Sequence, residues 1–356
     1  MSKIGIAFLG SGFAQSVQAP AFAMTEQVAL IGAASPNSAE KFAAAFKMPV
    51  HTSDWKSLVS RDDVHLVCVS SPPSLHCEQT LFALGHGKHV LCEKPFAMNL
   101  AEAKAMRDAA AGKNLLAVID HELRFAPERR FVREFLRQGK LGKLYFAEAA
   151  AHLSGRRTAA KPAFTWWSDK TFGGGVWGAI ASHLIDQLRF FTGGEVAETS
   201  ARLHTAVTER PAKDGGMKQV TSDDVAMASL RLASGAPASV FASVVSAEDR
   251  IDIELTGEAG TIKVDMMNRV YFREAGKSYE EIKADYNEAE QAVAGRLKSS
   301  AIGGSGPFPK AFALFADKII RALQAGETSI TDAATFEDGV KIQEVLDAAN
   351  WSEVKT

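Results

Sequence analysis

A chain of 356 residues has room for about two domains at ~150 residues each, and 46% hydrophobic with 23% charged residues is an ordinary globular mixture. With 40 Lys and Arg against 42 Asp and Glu, the net charge of −2 excludes a broad basic face for nucleic acid or an anionic membrane. The 3 cysteines, Cys68, Cys77 and Cys92, form no CxxC pair, which argues against a disulfide scaffold or a metal site and for a reducing, cytoplasmic setting; no apolar run approaches the ~20 residues of a membrane helix.

The N-terminal stretch, Lys3 followed by the apolar residues 4–9 and then Ala19-Pro20-Ala21, has a faint likeness to a secretory signal. The apolar run stops at Gly10-Ser11-Gly12, so it reads better as a buried strand entering a glycine turn. Further strands are expected at Val28–Ala34, His65–Ser70, Lys88–Cys92 and Leu115–Asp120. They are rich in Val, Ile, Leu and Ala and do not alternate with polar residues, as parallel strands covered on both faces do not. Helices are expected between them at Ser16–Met24, Ala39–Phe46, Ser74–Gly85 and Leu100–Ala111, the last capped by Asn99 with Glu102 three residues on. This alternation predicts right-handed crossovers and a doubly wound parallel sheet.

The rhythm changes after about residue 124. A basic helix, Pro127–Gln138, leads to a strand at Leu144–Leu153, an irregular Trp- and Gly-rich stretch, Phe164–Gly178, and a helix, Ile180–Thr192. Strands then follow one another at Glu198–Val207, Val225–Leu232, Ala238–Val245, Ile251–Thr256, Thr261–Asp265 and Arg269–Arg273, which favours an antiparallel or mixed sheet. A loop at Gly303-Gly304-Ser305-Gly306-Pro307 precedes helices at Lys310–Ala325 and Ala333–Asn350. The expected division is residues 1–124, binding nucleotide, and residues 125–356, binding substrate.

Gly10-Ser11-Gly12 lies between a strand and a helix, the context a dinucleotide turn requires. The first glycine permits the tight turn, and the second lets backbone approach a pyrophosphate at a helix N-terminus. Phe13 and Ala14 follow; Ala14 or Gln15 stands where a third glycine is usual. The plainer alternative is an ordinary strand-to-helix turn. An acid about 20 residues beyond the glycines would bind a ribose 2′-hydroxyl. Here the stretch is Ala33-Ala34-Ser35-Pro36-Asn37. Ser35 and Asn37 suit either cofactor and Lys41 suits a 2′-phosphate, so NADP is slightly favoured over NAD.

The fourth strand ends His89-Val90-Leu91-Cys92-Glu93-Lys94-Pro95. Strand C-termini of such a sheet face the ligand crevice, so Lys94 stands at the site unless it is one more surface lysine at a strand end. Together with Ser71-Pro72-Pro73-Ser74-Leu75-His76, Arg124-Phe125-Ala126-Pro127, Gly173-Gly174-Gly175 and His183-Leu184-Ile185-Asp186, this run resembles the Gfo/Idh/MocA oxidoreductases, the family of glucose–fructose oxidoreductase and inositol 2-dehydrogenase. The resemblance extends over nearly the whole chain. It implies an N-terminal Rossmann domain and a C-terminal α+β domain with a large, open-faced, mostly antiparallel sheet. It also implies NAD or NADP as cofactor and a sugar, inositol or related polyol as substrate, with a secondary hydroxyl oxidised or its ketone reduced by hydride transfer.

By the same resemblance Lys94 is the active-site lysine and His183 the proton-transferring histidine. The chemistry agrees: a histidine, with an ordinary pKa of about 6.5, suits the base for an alcohol proton, and a cationic lysine steadies developing alkoxide charge. Asp186 shares a helix face with His183 and is expected to orient the imidazole or a substrate hydroxyl, or to be an ordinary structural carboxylate. Many relatives carry an aspartate four residues before the histidine and a glycine two before it; here Ala179 and Ala181 stand there, which puts the inositol-dehydrogenase form of the mechanism in doubt. Glu122 is the candidate replacement, with a salt bridge to Arg124 or Arg129 as its alternative role. Ser71, Pro72, His76 and Glu93 are expected to contact cofactor, His76 equally well as a cap. Trp166 and Lys170 are expected to meet substrate on a loop made flexible by glycines, Trp167 and Trp177 to pack beneath it, and Arg156 and Arg157 to face solvent.

Two other functions compete: a glycosidase-type enzyme that oxidises a sugar ring transiently with bound NAD, and a non-catalytic nucleotide-binding sensor. Val and Ala on strands such as Ala238–Val245 are expected to line the open sheet face and to be covered by a symmetry mate in a homodimer or homotetramer.

Overall fold

The computed structural model describes residues 3–160, 162–297, 302 and 307–351. These fall into two compact units, one formed by the described residues of 3–126 and 286–340, the other by those of 127–285 and 341–351. The chain thus returns to the first unit late. Residues 286–340, which the sequence reading assigned to the second domain, pack with the first because their helix Phe308–Ala325 buries Phe312 and Phe315 in that unit's core. Phe312 meets the ring of Phe22 edge-on at 5.8 Å, and Phe315 stacks on Phe125 at 4.2 Å. Residues 303–306 of the expected glycine loop lie outside the described residues.

The first unit is built on six parallel strands: β1 (Ile4–Leu9), β2 (Val28–Ala34), β3 (Val50–Thr52), β4 (Leu66–Val69), β5 (His89–Cys92) and β6 (Ala117–Ile119). Their order, β6-β5-β4-β1-β2-β3, is the doubly wound one, with Ala334–Thr335 added antiparallel beside β6. Four of the predicted strands are each trimmed by one to three residues, Val28–Ala34 is reproduced, and the three-residue β3 escapes a pattern reading. The helix Leu100–Ala110 begins as expected: Asn99 Oδ1 accepts from the N–H of Glu102 at 3.0 Å. Glu102 Oε2 reaches back to the N–H of Met98 at 3.0 Å, one residue earlier than a capping box requires.

The second unit holds a nine-stranded sheet. Its main strands are β7 (Leu144–His152), β8 (Val196–His204), β9 (Val225–Leu232), β10 (Pro237–Ser243), β11 (Arg250–Gly257), β12 (Gly260–Asp265), β13 (Val270–Glu274) and β14 (Glu280–Ile282). They run β14-β13-β12-β11-β7-β10-β9-β8, with Asn350–Trp351 beside β8. All pairs are antiparallel except β7 with β10 and the last pair. A small hairpin, Glu209–Pro211 with Met217–Gln219, stands apart. Alternation is strict on β9 and β11, with one face buried and the other open. The covered face packs on the helices Pro127–Arg137 and Ser182–Thr192.

The open face has the opposite composition from the one expected. Ala238, Val240 and Ala242 point inward and are buried, because the helices cover their side of the sheet. The outward side carries Phe146, Glu148, Met227, Asp252, Glu254 and Lys263 instead.

Candidate functional site

In the first unit the parallel ladder runs one residue past each strand. The N–H of Gly10 donates to Ala34 O at 2.9 Å, Ser70 to Leu9 O at 2.7 Å, Glu93 to Val69 O at 2.9 Å, and Asp120 to Cys92 O at 2.8 Å. Gly10, Ser70, Glu93 and Asp120 therefore stand in a row along the carboxyl edge, where open α/β sheets bind ligands. Gly10 has φ +101°, and a Cβ there would lie 2.2 Å from Ser70 O, so only glycine fits. A Cβ on Gly12 would meet nothing within 4 Å. Gly12 is exposed at the start of the helical segment that runs on to Phe22, and open space over a helix N-terminus suits a pyrophosphate. The segment opens with a π-helical turn, Ala14–Gln18, of the kind often found at functional sites.

Of the cofactor candidates, Gly10, Gly12, Ser35, Ser71 and Pro72 lie on the edge loops, Ser35 through Pro72 partly exposed. Ser38 links Ser11 and Ser35, with Oγ–Oγ distances of 2.6 and 2.8 Å, so the tip of β2 presents hydroxyls and no carboxylate. Three candidates turn away from the edge. Ala14 is buried in the core, and Phe13 packs edge-on against Phe312 at 5.9 Å. His76 is fully buried. Its Nε2 lies 2.9 Å from Ser71 O and its Nδ1 3.0 Å from Pro95 O, so both nitrogens are taken by backbone and the ring braces two edge loops. Burial pushes its pKa down.

Lys94 is half-buried directly after β5, and the Lys94–Pro95 peptide is cis. Glu93 is buried beneath the edge. Gln18 Nε2 donates to Glu93 Oε1 and to Asp120 Oδ2, each at 2.9 Å, and Ser70 Oγ donates to Gln18 Oε1 at 2.7 Å. Burial raises the pKa of Glu93, against the pull of Lys94, and raises that of Asp120 well above the usual carboxylate range, with Glu93 and Glu122 adding to the effect. Glu122 is buried on the short 3₁₀ turn Glu122–Phe125 that follows β6. Its neighbour Arg124 pairs with Asp338, Nη2 to Oδ1 3.2 Å.

In the second unit a π-helical turn, Trp177–Ala181, feeds the helix Ser182–Thr192 that carries His183 and Asp186. His183 is 4% exposed and Asp186 fully buried. The helix is pinned by Arg129, which donates to Gln187 Oε1 at 3.1 Å and to Asn268 Oδ1 at 2.8 Å. It is also held at its entrance. Asp223 Oδ2 accepts from the N–H of Trp177 at 2.7 Å, and Asp223 O accepts from Val176 N–H at 3.0 Å. Gly175, at φ +122°, makes this possible, since a Cβ would lie 2.2 Å from Asp223 Oδ1. Burial raises Asp223 to about 7.

The Trp-rich loop is tied down rather than free. Ser222 Oγ donates to Trp167 O at 2.7 Å, and the N–H of Lys170 donates to Thr221 Oγ1 at 3.1 Å. Trp166 and Lys170 are exposed on it. Trp177 is buried, its Nε1 donating to Leu346 O at 3.0 Å. Arg156, expected in solvent, lies 5.5 Å over the Trp167 ring and donates to Ser168 Oγ at 2.8 Å; burial lowers its pKa to about 10. Gln18, Ser38, Asp120 and Asp223 were not singled out from sequence. Only Gln18 carried a signal, as a polar residue among Ala, Val and Phe on a short apolar helix. Among the described residues no cluster of His, Cys, Asp and Glu could hold a metal ion, and no helix is long and apolar enough to cross a membrane.

Comparison with known proteins matches both units. The oxidoreductase family with an NAD-binding Rossmann fold matches residues 4–121, and the GFO/IDH/MocA C-terminal domain matches residues 130–263. An uncharacterised oxidoreductase of Synechocystis sp. is 31% identical over 265 residues, 73% of this chain and 71% of its own. Levoglucosan dehydrogenase of Pseudarthrobacter phenanthrenivorans is 29% identical over 288 residues, 74% of this chain and 73% of its own. Among solved structures, an oxidoreductase domain protein from Kribbella flavida superposes with a TM-score of 0.81 at 27% identity, covering 98% of this chain and 96% of that one. Levoglucosan dehydrogenase in complex with NADH and L-sorbose reaches 0.84 at 24% identity over 97% and 95% of the chains, a likeness of fold. With both family domains matched along the chain, the protein is a member of the GFO/IDH/MocA oxidoreductases, an NAD-binding dehydrogenase or reductase.

Proposed function

We propose that the protein interconverts a secondary hydroxyl and a ketone on a sugar or related polyol. The observation that carries this reading is the pairing of an open glycine turn at the head of a 3-2-1-4-5-6 sheet with a half-buried lysine at its carboxyl edge. Relatives named levoglucosan dehydrogenase and 1,5-anhydro-D-fructose reductase support a sugar as substrate. When bound, the nicotinamide supplies the hydride acceptor or donor. In the oxidative direction His183 takes the hydroxyl proton, Lys94 steadies the negative charge developing on that oxygen, and Asp186 orients the histidine or a substrate hydroxyl. Glu122 supplies the carboxylate that Ala179 does not. Trp166 and Lys170, exposed on their loop, contact the sugar.

The hydroxyl-lined tip of β2 accepts either dinucleotide, and exposed Lys41 tips the preference to NADP. The exposed sheet face, with Phe146 and Met227, is covered by a second copy in a dimer or tetramer. The test is a nicotinamide-absorbance screen over sugars, anhydrosugars, inositols and their keto forms with both cofactors. Turnover with NADP above that with NAD is expected. Release of free sugar from a glycoside without net cofactor reduction would replace this reading with a glycosidase-type one, and binding without turnover on any polyol would replace it with a sensor.

A further inference from the structure

The first unit buries two carboxyl groups where a single negative charge would already be costly. Glu93 is 7% and Asp120 0% exposed. Both accept from the same nitrogen, Gln18 Nε2, at 2.9 Å, which holds the two carboxyls side by side. The hydroxyl of Ser70 fixes the amide by donating to Gln18 Oε1, so the NH₂ must face the acids. Asp120 Oδ1 is buried with no hydrogen-bond partner. Two adjacent ionised carboxylates would repel at short range in this setting, and one proton between them removes the conflict.

The position of the pair gives that proton a use. Ser70, Glu93 and Asp120 end β4, β5 and β6. In a doubly wound sheet the β2 end reads the adenosine ribose, which leaves the carboxyl ends of β4 to β6 to the other half of the dinucleotide. The oxidised nicotinamide ring is a cation and the reduced ring is neutral, so the charge beside the pair changes by one unit with redox state.

We propose that Glu93 and Asp120, clamped on the amide of Gln18, share one proton and release it when the oxidised cofactor binds, holding it when the cofactor is reduced. The pair is a positioning device for charge and touches no reacting atom. The groups that face it are Lys94, which favours the ionised form of Glu93, Glu122, which disfavours that of Asp120, and the buried thiols of Cys68 and Cys92. The inference rests on the NAD-binding assignment of this unit and not on the identity of the substrate.

The test is calorimetric titration of the whole protein with the oxidised and the reduced dinucleotide, in two buffers of different ionisation heat, between pH 6 and 9. More protons are released on binding the oxidised form, and the ratio of the two Kd values changes with pH by up to about tenfold per unit. Asp120→Asn flattens that ratio; if it does not fold, Glu93→Gln carries the same expectation. A merely structural role would weaken both forms alike and leave the ratio unmoved. Equal proton counts for the two forms, or a difference that survives both substitutions, would overturn the inference. Because the readout is binding, these outcomes are distinct from a failure to oxidise any sugar, which bears on the proposed reaction; absence of binding by either form overturns both.

Discussion

The carboxylate of Asp223 accepts the main-chain N–H of Trp177 at 2.7 Å, and so closes, from a distant stretch of chain, the entrance to the helix that carries His183. An acid at a helix N-terminus satisfies an orphan donor and complements the dipole. This one does so while buried, which raises it to about 7.

The sign of the pH effect follows. The folded value lies above the ordinary one of about 3.9, so between them the folded state holds a proton that the unfolded state has lost. Stability from this group falls as pH rises through that window, by on the order of 1 kcal/mol per unit. Asp223→Asn keeps an acceptor for Trp177 without the charge. The melting temperature of the variant relative to the parent should therefore rise from pH 5 to about pH 7 and level off above it; a gap independent of pH would show the carboxyl to be ionised throughout.

Gly10 and Gly12 are expected to fail differently. Gly10→Ala forces a Cβ against Ser70 O at a backbone angle that only glycine holds comfortably, and should cost roughly 2–4 kcal/mol or prevent folding. Gly12→Ala meets open space, so its melting temperature should stay within about 2 °C of the parent. It should nonetheless weaken cofactor binding at least ~10-fold, since the methyl occupies the approach to the pyrophosphate. Thermal melts and fluorescence titration with dinucleotide separate the two cases.

For the chemistry, Lys94→Ala and His183→Ala should each lower kcat by ~10²–10⁴-fold while leaving dinucleotide affinity largely intact for the histidine variant. Glu122→Gln should cost at least ~10-fold if its carboxylate takes part. Steady-state kinetics on the best substrate of the screen provide the check, and near-normal turnover in the histidine variant would remove His183 as the base.

His76 makes a structural prediction. Its neutral ring sits between Ser71 O and Pro95 O, and its pKa is pushed below the usual histidine value. The unfolded state therefore takes up the proton first as pH falls, and the stability this histidine contributes is present above about pH 6.5 and lost below it. His76→Ala should cost ~2–4 kcal/mol near neutrality, from the cavity and the one carbonyl that loses the ring N–H, and should make the acid side of the stability profile shallower in a urea titration series.

Sequence carried the first sheet well because its parallel strands are buried on both faces and read as apolar runs. It placed Lys94 just past a strand end and His183 on a helix, as the fold has them, while their proposed roles came from the family resemblance and not from any local pattern. The three-residue strand Val50–Thr52 and the Glu209–Pro211 hairpin are too short for any period. The direction in which Ala238, Val240 and Ala242 point depends on which side the helices cover, which alternation alone leaves open. His76 stood beside the crevice in sequence, and only the positions of two distant carbonyls turn it inward. Asp120 and Asp223 act through partners more than 40 residues away, and no local pattern encodes such a pairing.

The late return of residues 286–340 to the first unit bears on how this protein is made. A ribosome delivers the six parallel strands of the nucleotide-binding sheet early, but Phe312 and Phe315, which seal one side of its core against Phe22 and Phe125, arrive only after the eight main strands of the second sheet have emerged. Through most of synthesis the first unit keeps an unsealed aromatic surface, a natural landing place for a chaperone, and a gene fragment ending near residue 126 should yield an insoluble product where the intact chain does not.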